Sequence, residues 1–334
     1  MESLDNSGWQ AKLRSAAGDL KNCEFPSSKE IGIFGSQDGV TITVQAKGLD
    51  GNMQTNAAAF EAWALVLLCH CQVKHIKIGL APDAKNKLAG GHVERFLYRL
   101  YRFHQLFPDR IEPDATLWNS SRALNGTINR ILNQPLTHRY PIHEKRDERF
   151  AAVSAPSKNV SEADLEKALE CSRSFGVKFA LKKVMRQWPV GLFEGRVARG
   201  NEIFTGGKSA IDLLGISDDR LVLFELKTHL NRNVGAISEL LFYASVMRDA
   251  IRGNFQFEEK PLSKNCIVTR GDIIRCSNIR AVLIAPRMHP LIQNPAIFQE
   301  LNAALAQHWA DIPVTFETAQ IKYIPNDPHE DFGF

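Results

Sequence analysis

The stretch from Lys208 to Leu230, KSAIDLLGISDDRLVLFELKTHL, constrains the fold more than any other part of this chain. Two apolar runs, AIDLLGI and LVLFEL, flank a polar turn. Runs that are apolar almost throughout, without alternation, belong to strands covered on both faces. A short polar joint between them predicts an antiparallel hairpin inside a layered sheet. Yet Asp212 interrupts the first run, and Glu225 and Lys227 close the second. Charge placed in such strands is costly unless it is paired or holds a metal.

Register sharpens the question. With Asp218-Asp219 as a two-residue loop, Ser217 faces Arg220. Counting back along both strands then sets Asp212 opposite Glu225, with Cβ atoms about 5 Å apart. A four-residue loop on the same centre gives the same pairing, and an odd-length loop would shift it by one. Like charges directly opposite destabilise a sheet. A divalent cation with a taste for hard oxygen ligands, magnesium or manganese, would join them. Strand alternation puts Lys227 on the face of Glu225 and turns Leu226 away. Ala210, opposite Lys227, leaves the lysine room to lie along that face. Two carboxylates and a lysine at one spot suit metal-assisted hydrolysis of a phosphodiester. The competing reading is a surface hairpin with solvated charges, and the apolar runs on both sides of the turn argue against it.

The rest of the chain has material for such a core. It holds 334 residues, 44% of them hydrophobic, enough for one large domain or two ordinary ones. The net charge of +4 permits a nucleic acid or another anionic partner without requiring one. No apolar run reaches the roughly 18 residues of a membrane span, and the first residues lack a basic-then-apolar signal pattern. A cytoplasmic protein with no membrane association is therefore expected. Six scattered cysteines agree with that compartment. Cys69, His70, Cys71 and His75 lie close in sequence, but Cys69 and Cys71 end an apolar helical segment without zinc-finger spacing. They are expected to be buried thiols.

Two halves are expected: an α+β N-terminal domain over 1–150, separate from a second domain over 158–334, with the boundary near 145–158. In the first half, Val40 to Ala46 and Val73 to Ala81 alternate like half-buried strands. Gln54 to Cys69 and Gly91 to Phe107 have helical spacing, and Ala115 to Gln134 forms a third, weaker helix. Arg95, Arg99 and Arg102 share one face of the second helix. They read as a solvated face in preference to a phosphate-binding stripe. In the second half, Ser161 caps a helix with Asp164 three residues on. Lys178 to Trp188 is predicted helical, and a short strand is expected over Asn201 to Thr205. Helices are predicted over Asn233 to Ile251 and Ala296 to Ala310, and strands over Asn278 to Pro286 and Val314 to Ile324. This order describes a mixed sheet with helices on its faces.

Asp-x(12)-Glu-x-Lys on a hairpin, followed by an amphipathic helix, resembles the PD-(D/E)xK nuclease superfamily. The wider context, TGGKSAIDLLGISDDRLVLFELKTHLNRNVGAISELLFYASVMR, resembles the nuclease domain of the NucS/EndoMS group. The likeness covers about residues 160–290, and its specific part runs from Thr205 to Arg248. It implies a restriction-endonuclease-like mixed sheet flanked by helices, and magnesium-dependent cleavage of DNA, with manganese as a substitute. Asp212 and Glu225 would be metal ligands, with the Leu226 carbonyl as a third, and Lys227 the catalytic lysine. A first-helix glutamate would join them, Glu166 ahead of Glu162. Lys208, Glu239 and Tyr243 would support the site or contact DNA. This chain departs from the group at Glu239, where glutamine is usual. DNA and a second copy of the chain are the expected partners, in DNA repair or defence against foreign DNA. The first 150 residues do not resemble that group and would serve recognition, dimerisation or a protein partner. A nuclease-like module that only binds DNA or a protein is the alternative.

Overall fold

The computed structural model describes residues 2–16, 25–53, 55–85, 91–114, 121–135, 161–204, 209–228, 233–262 and 266–321. The first half runs α1 (Asn6–Ala16), β1 (Ile31–Gly35), β2 (Gly39–Val44), α2 (Ala46–Leu49), a 3-10 turn (Asn56–Ala58), α3 (Phe60–His70), β3 (His75–Leu80), α4 (Pro82–Lys85), α5 (Gly91–Leu106), β4 (Ile111–Pro113) and β5 (Arg130–Leu132). The second half continues with α6 (Glu162–Cys171), α7 (Arg173–Lys178), β6 (Lys183–Pro189), β7 (Leu192–Glu194), β8 (Ala210–Ser217), β9 (Arg220–Leu226), α8 (Ala236–Ile251), β10 (Gln256–Phe257), α9 (Arg270–Ile274), β11 (Asn278–Ala285), α10 (Pro290–Gln293), α11 (Ala296–His308) and β12 (Val314–Gln320). The class is mixed α/β. No helix among the described residues is long and apolar enough to cross a membrane.

Strands β1-β2-β3-β4 form one sheet, and β12-β11-β9-β8-β6 form a larger one. In the larger sheet β12, β11 and β9 are parallel, while β8 and β6 run antiparallel to their neighbours. The β8–β9 hairpin is central, and its ladder pairs Ser217 with Arg220 and Leu213 with Phe224. The two-residue loop and the counted register are both present. Asp218 takes the loop's left-handed position at φ 52°, which aspartate tolerates better than most residues.

Both faces of this hairpin are covered, as its apolar runs require. On one side Leu165 and Leu169 of α6, Phe175 of α7 and Phe179 just after it pack on Leu213, Phe224 and Leu226. On the other, α8 lies over β9 and β11. Residues Ala236 to Ala250 of α8 are all buried, because α3 of the first half covers its outer side. A helix buried all round needs such a second layer.

That layer amends the expectation of a separate N-terminal domain. The first half has its own sheet, but Trp63, Phe103, Leu240, Leu283 and Leu301 belong to one hydrophobic core. Strand β5 is laddered between β7 and β10 of the second half. Tyr98 packs its ring on Phe204, Phe242 and Phe255 and donates a 2.6 Å hydrogen bond to Asp249. The expected boundary near 145–158 lies outside the described residues.

Three further expectations fail for physical reasons. Arg95 and Arg99 are buried and Arg102 nearly so, because α5 turns this stripe inward. Glu61 and Asp249 receive Arg99 and Arg102 there. The described part of 115–134 is turn and strand, with Asn125 Oδ1 accepting from the Thr127 N–H and hydroxyl. Such local side-chain bonds compete with a helix. Lys183 to Pro189 is strand β6, although Met185 and Trp188 are both buried at a helical spacing of three. Gln187 adopts φ 56° between them and breaks the strand's alternation. Of the strand expected over Asn201 to Thr205, Thr205 lies outside the described residues, and Asn201 to Phe204 keep a single bridge from Glu202 to Phe193. Cys71 is buried and Cys69 half-buried, and burial pushes both thiols up to about 11.

Candidate active site

The hairpin's open end places the charges. Beyond Leu213–Phe224, the next facing positions are Asp212 and Glu225, and there the ladder gives way to side chains. Asp212 Oδ2 accepts the Leu226 N–H at 2.8 Å. On the other edge of β8 the β6 ladder pairs Arg186 with Leu213 and Trp188 with Ile211, omitting Gln187 and Asp212. Ile211 and Leu214 accordingly share one core although three positions apart. The distortion at Gln187 and Asp212 thus lies at the charged site, where backbone strain tends to be stored.

Five carboxylates, Asp212 among them, and one ammonium meet around this point. Glu225 is fully buried, and Lys227 bonds its Oε1. Lys227 Nζ also lies 3.8 Å from Glu162 and 3.9 Å from Glu239. Tyr243 donates its hydroxyl to Glu239 Oε1 at 2.9 Å. Glu166, buried on α6, accepts from Gln187 Nε2 at 2.8 Å. The Ser161 capping box, complete as predicted, starts α6 so that Glu162 and Glu166 fall one turn apart on the same side.

The electrostatics follow from too many acids in too little water. Burial, then Glu166 and Glu239, push Asp212 up to about 8 against the pull of Lys227 and the Leu226 N–H. Burial, then Asp212 and Glu239, hold Glu225 well above the usual carboxylate range. Burial also raises Glu166. For Lys227 burial acts downward, but Glu225, Glu239 and Asp212 outweigh it and keep the ammonium charged. Two carboxylate oxygens, Glu225 Oε2 and Glu239 Oε2, are buried with no hydrogen-bond partner. Orphaned anionic oxygens of this kind are what a hard divalent cation binds, so the donor set fits magnesium or manganese. Among the described residues no group of three or more acid, histidine or cysteine side chains is placed, as it stands, to hold a metal ion. The lysine ammonium stands among the carboxylates instead.

The structure therefore brings together Asp212, Glu225, Lys227, Glu162, Glu166, Glu239 and Tyr243. Leu226 contributes its N–H to Asp212, and its side chain packs into the opposite core. Lys208 lies outside the described residues. Two residues escaped sequence reading. Gln187 was hidden in a segment read as helix, and the spacing of Met185 and Trp188 within a polar strand was its only trace. Arg95, read as solvent-facing, is buried near enough to Glu239 and Tyr243 for both to act on it. Its acidity still rises, to about 10, because burial and Arg99 outweigh them. Comparison with protein-family models, curated proteins and solved structures gives no match. The functional reading rests on this geometry.

Proposed function

We propose that the chain is a metal-dependent nuclease that hydrolyses phosphodiester bonds in DNA, on a restriction-endonuclease-like second half. The observation that carries this reading is the facing pair Asp212–Glu225 with Lys227 on the same face, buried at the open end of the central hairpin. Like charges are not buried opposite each other for stability. Asp212 and Glu225 would hold the cation, with Glu166 acting on Asp212 and anchored by Gln187. Bound there, a divalent cation polarises a phosphate and lowers the pKa of water.

The protein groups supply the rest. Lys227, held charged by its acidic neighbours, donates rather than accepts a proton. It orients the attacking water or stabilises negative charge as water adds to phosphorus and the ester oxygen departs. The Leu226 N–H fixes Asp212, and the layers on both faces of the hairpin keep bulk water from the acids. The second half's site faces α8, which the first half buttresses, so the intact chain is the unit to assay.

The test incubates the full chain with plasmid, linear, branched and mismatched DNA, in magnesium, manganese or EDTA. Asp212→Ala and Lys227→Ala serve as controls. Metal-dependent cutting, reduced about a thousandfold or more in both variants, is expected. Binding without cutting under every condition would replace this reading with that of a nuclease-like binding module.

A further inference from the structure

Glu239 is an acid that the hydrolysis reading does not require. It sits on α8, not on the hairpin, and its side chain is only 6% exposed. The pattern of its bonds matches that of Glu225. Glu225 Oε1 accepts from the Lys227 ammonium, and Glu239 Oε1 accepts from the Tyr243 hydroxyl. Each is thereby oriented through one oxygen, while the other, Oε2, is buried without a hydrogen-bond donor, that of Glu239 lying 3.9 Å from the Lys227 ammonium. The two carboxylates are close enough to interact directly, since Glu239 is among the groups that raise Glu225. Arg95 does not resolve this. Its guanidinium bonds Gly51 O and His92 Nδ1, at 3.4 and 3.1 Å.

We propose that Glu239 is a direct carboxylate ligand of the divalent cation held by Asp212 and Glu225, so that α8 builds part of the metal shell. This rests on the cation-dependent reading above and deepens it. The alternative for a helix residue beside a nuclease centre is a neutral contact to phosphate. A buried, oriented carboxylate with an open oxygen is the wrong group for that, because it repels phosphate until a cation covers it. Ligand charge count also sets affinity for hard cations, so a third carboxylate tightens the site.

The first half holds this ligand in place. The Ala62 N–H donates to Ser238 Oγ at 3.2 Å, one residue before Glu239. The Val234 N–H donates to Asn56 Oδ1 at 3.3 Å at the start of the same helix. The otherwise unassigned N-terminal half therefore fixes one wall of the cation site.

Glu239→Gln tests this, because the amide keeps the shape and still accepts from Tyr243. Manganese binding to the full chain is followed by loss of the free-ion electron paramagnetic resonance signal, for wild type, Glu239→Gln and Asp212→Asn. Thermal unfolding is recorded in EDTA alongside. The expected result is manganese affinity lower by about tenfold or more in Glu239→Gln, no smaller than the loss from removing a ligand's supporting partner. Its melting temperature in EDTA should equal or exceed that of wild type, since one buried repulsion is gone. Unchanged manganese affinity in Glu239→Gln, with loss in Asp212→Asn, overturns the proposal and leaves the cation site standing. Weaker binding with a lower melting temperature in EDTA assigns Glu239 a structural role and also overturns it. No manganese binding by wild type overturns both this inference and the reading beneath it.

Discussion

Helix α8 borders two buried groups of charge, and they are built differently. Toward its C-terminal end, Asp249 accepts from Tyr98 at 2.6 Å and from Arg102 at 2.5 Å, and nearby Arg99 is paired with Glu61. Each arginine there meets a carboxylate. Toward its N-terminal end, Glu239 joins Asp212, Glu225 and Glu162 around the single ammonium of Lys227, and two carboxylate oxygens, Glu225 Oε2 and Glu239 Oε2, have no hydrogen-bond donor. The first group joins the two halves of the chain. The second costs stability as it stands. Buried charge in balance is structural, whereas buried charge of one excess sign marks a place prepared for something with the opposite sign.

Breaking the balanced group should have the largest effect. Glu61→Ala strands the Arg99 guanidinium in the core, leaving it the Ala58 carbonyl, an uncharged acceptor at 2.9 Å. A loss of about 3–5 kcal/mol is expected in chemical denaturation. A loss under 1 kcal/mol would mean that this pair is not the buried structural element it looks like.

Asp212 should behave in the opposite sense. Its folded pKa stands at about 8 against an ordinary 3.8. A raised value means that the fold prefers the protonated form. That contribution is complete below about pH 4 and is lost as pH rises through 8. In EDTA, wild-type stability should therefore fall across this interval, and Asp212→Asn should flatten the slope. The same slope in both proteins would show that Asp212 is not the group responsible.

Gln187 links the acidic group to backbone strain. At φ 56° glycine is unstrained and alanine is not. Both substitutions lose the bond to Glu166, so Gln187→Gly should be more stable than Gln187→Ala by about 1–2 kcal/mol. Equal stabilities would remove the strain from the account. The smallest effect belongs to the hairpin's far end, where Lys182 and Asp218 form an exposed 2.5 Å pair. Lys182→Ala should change stability by about 0.5 kcal/mol or less.

How much of this was legible in the sequence follows the same division. The hairpin, its register and the Asp212–Glu225–Lys227 face could be counted, because strand alternation and a two-residue turn leave few choices. The capping box at Ser161 was local and equally readable. Gln187 was not, since one residue at positive φ gave β6 the burial spacing of a helix. The inward turn of Arg95, Arg99 and Arg102 was not legible either. Arginines on a helix look solvated until the helix that buries them, some 140 residues further along the chain, is in place. Glu239 stood out only as a departure from a family pattern, and the hairpin opposite it supplies its meaning.

The central claim is that the acidic group exists to hold a divalent cation. It is tested most directly by the melting temperature of the full chain at pH 8, in EDTA and in saturating magnesium, for wild type and Glu225→Gln. The account predicts that magnesium stabilises wild type, by about 2.7 kcal/mol at a hundredfold excess over Kd, and leaves Glu225→Gln nearly unmoved. Equal shifts in the two proteins, or no shift in wild type, would contradict it.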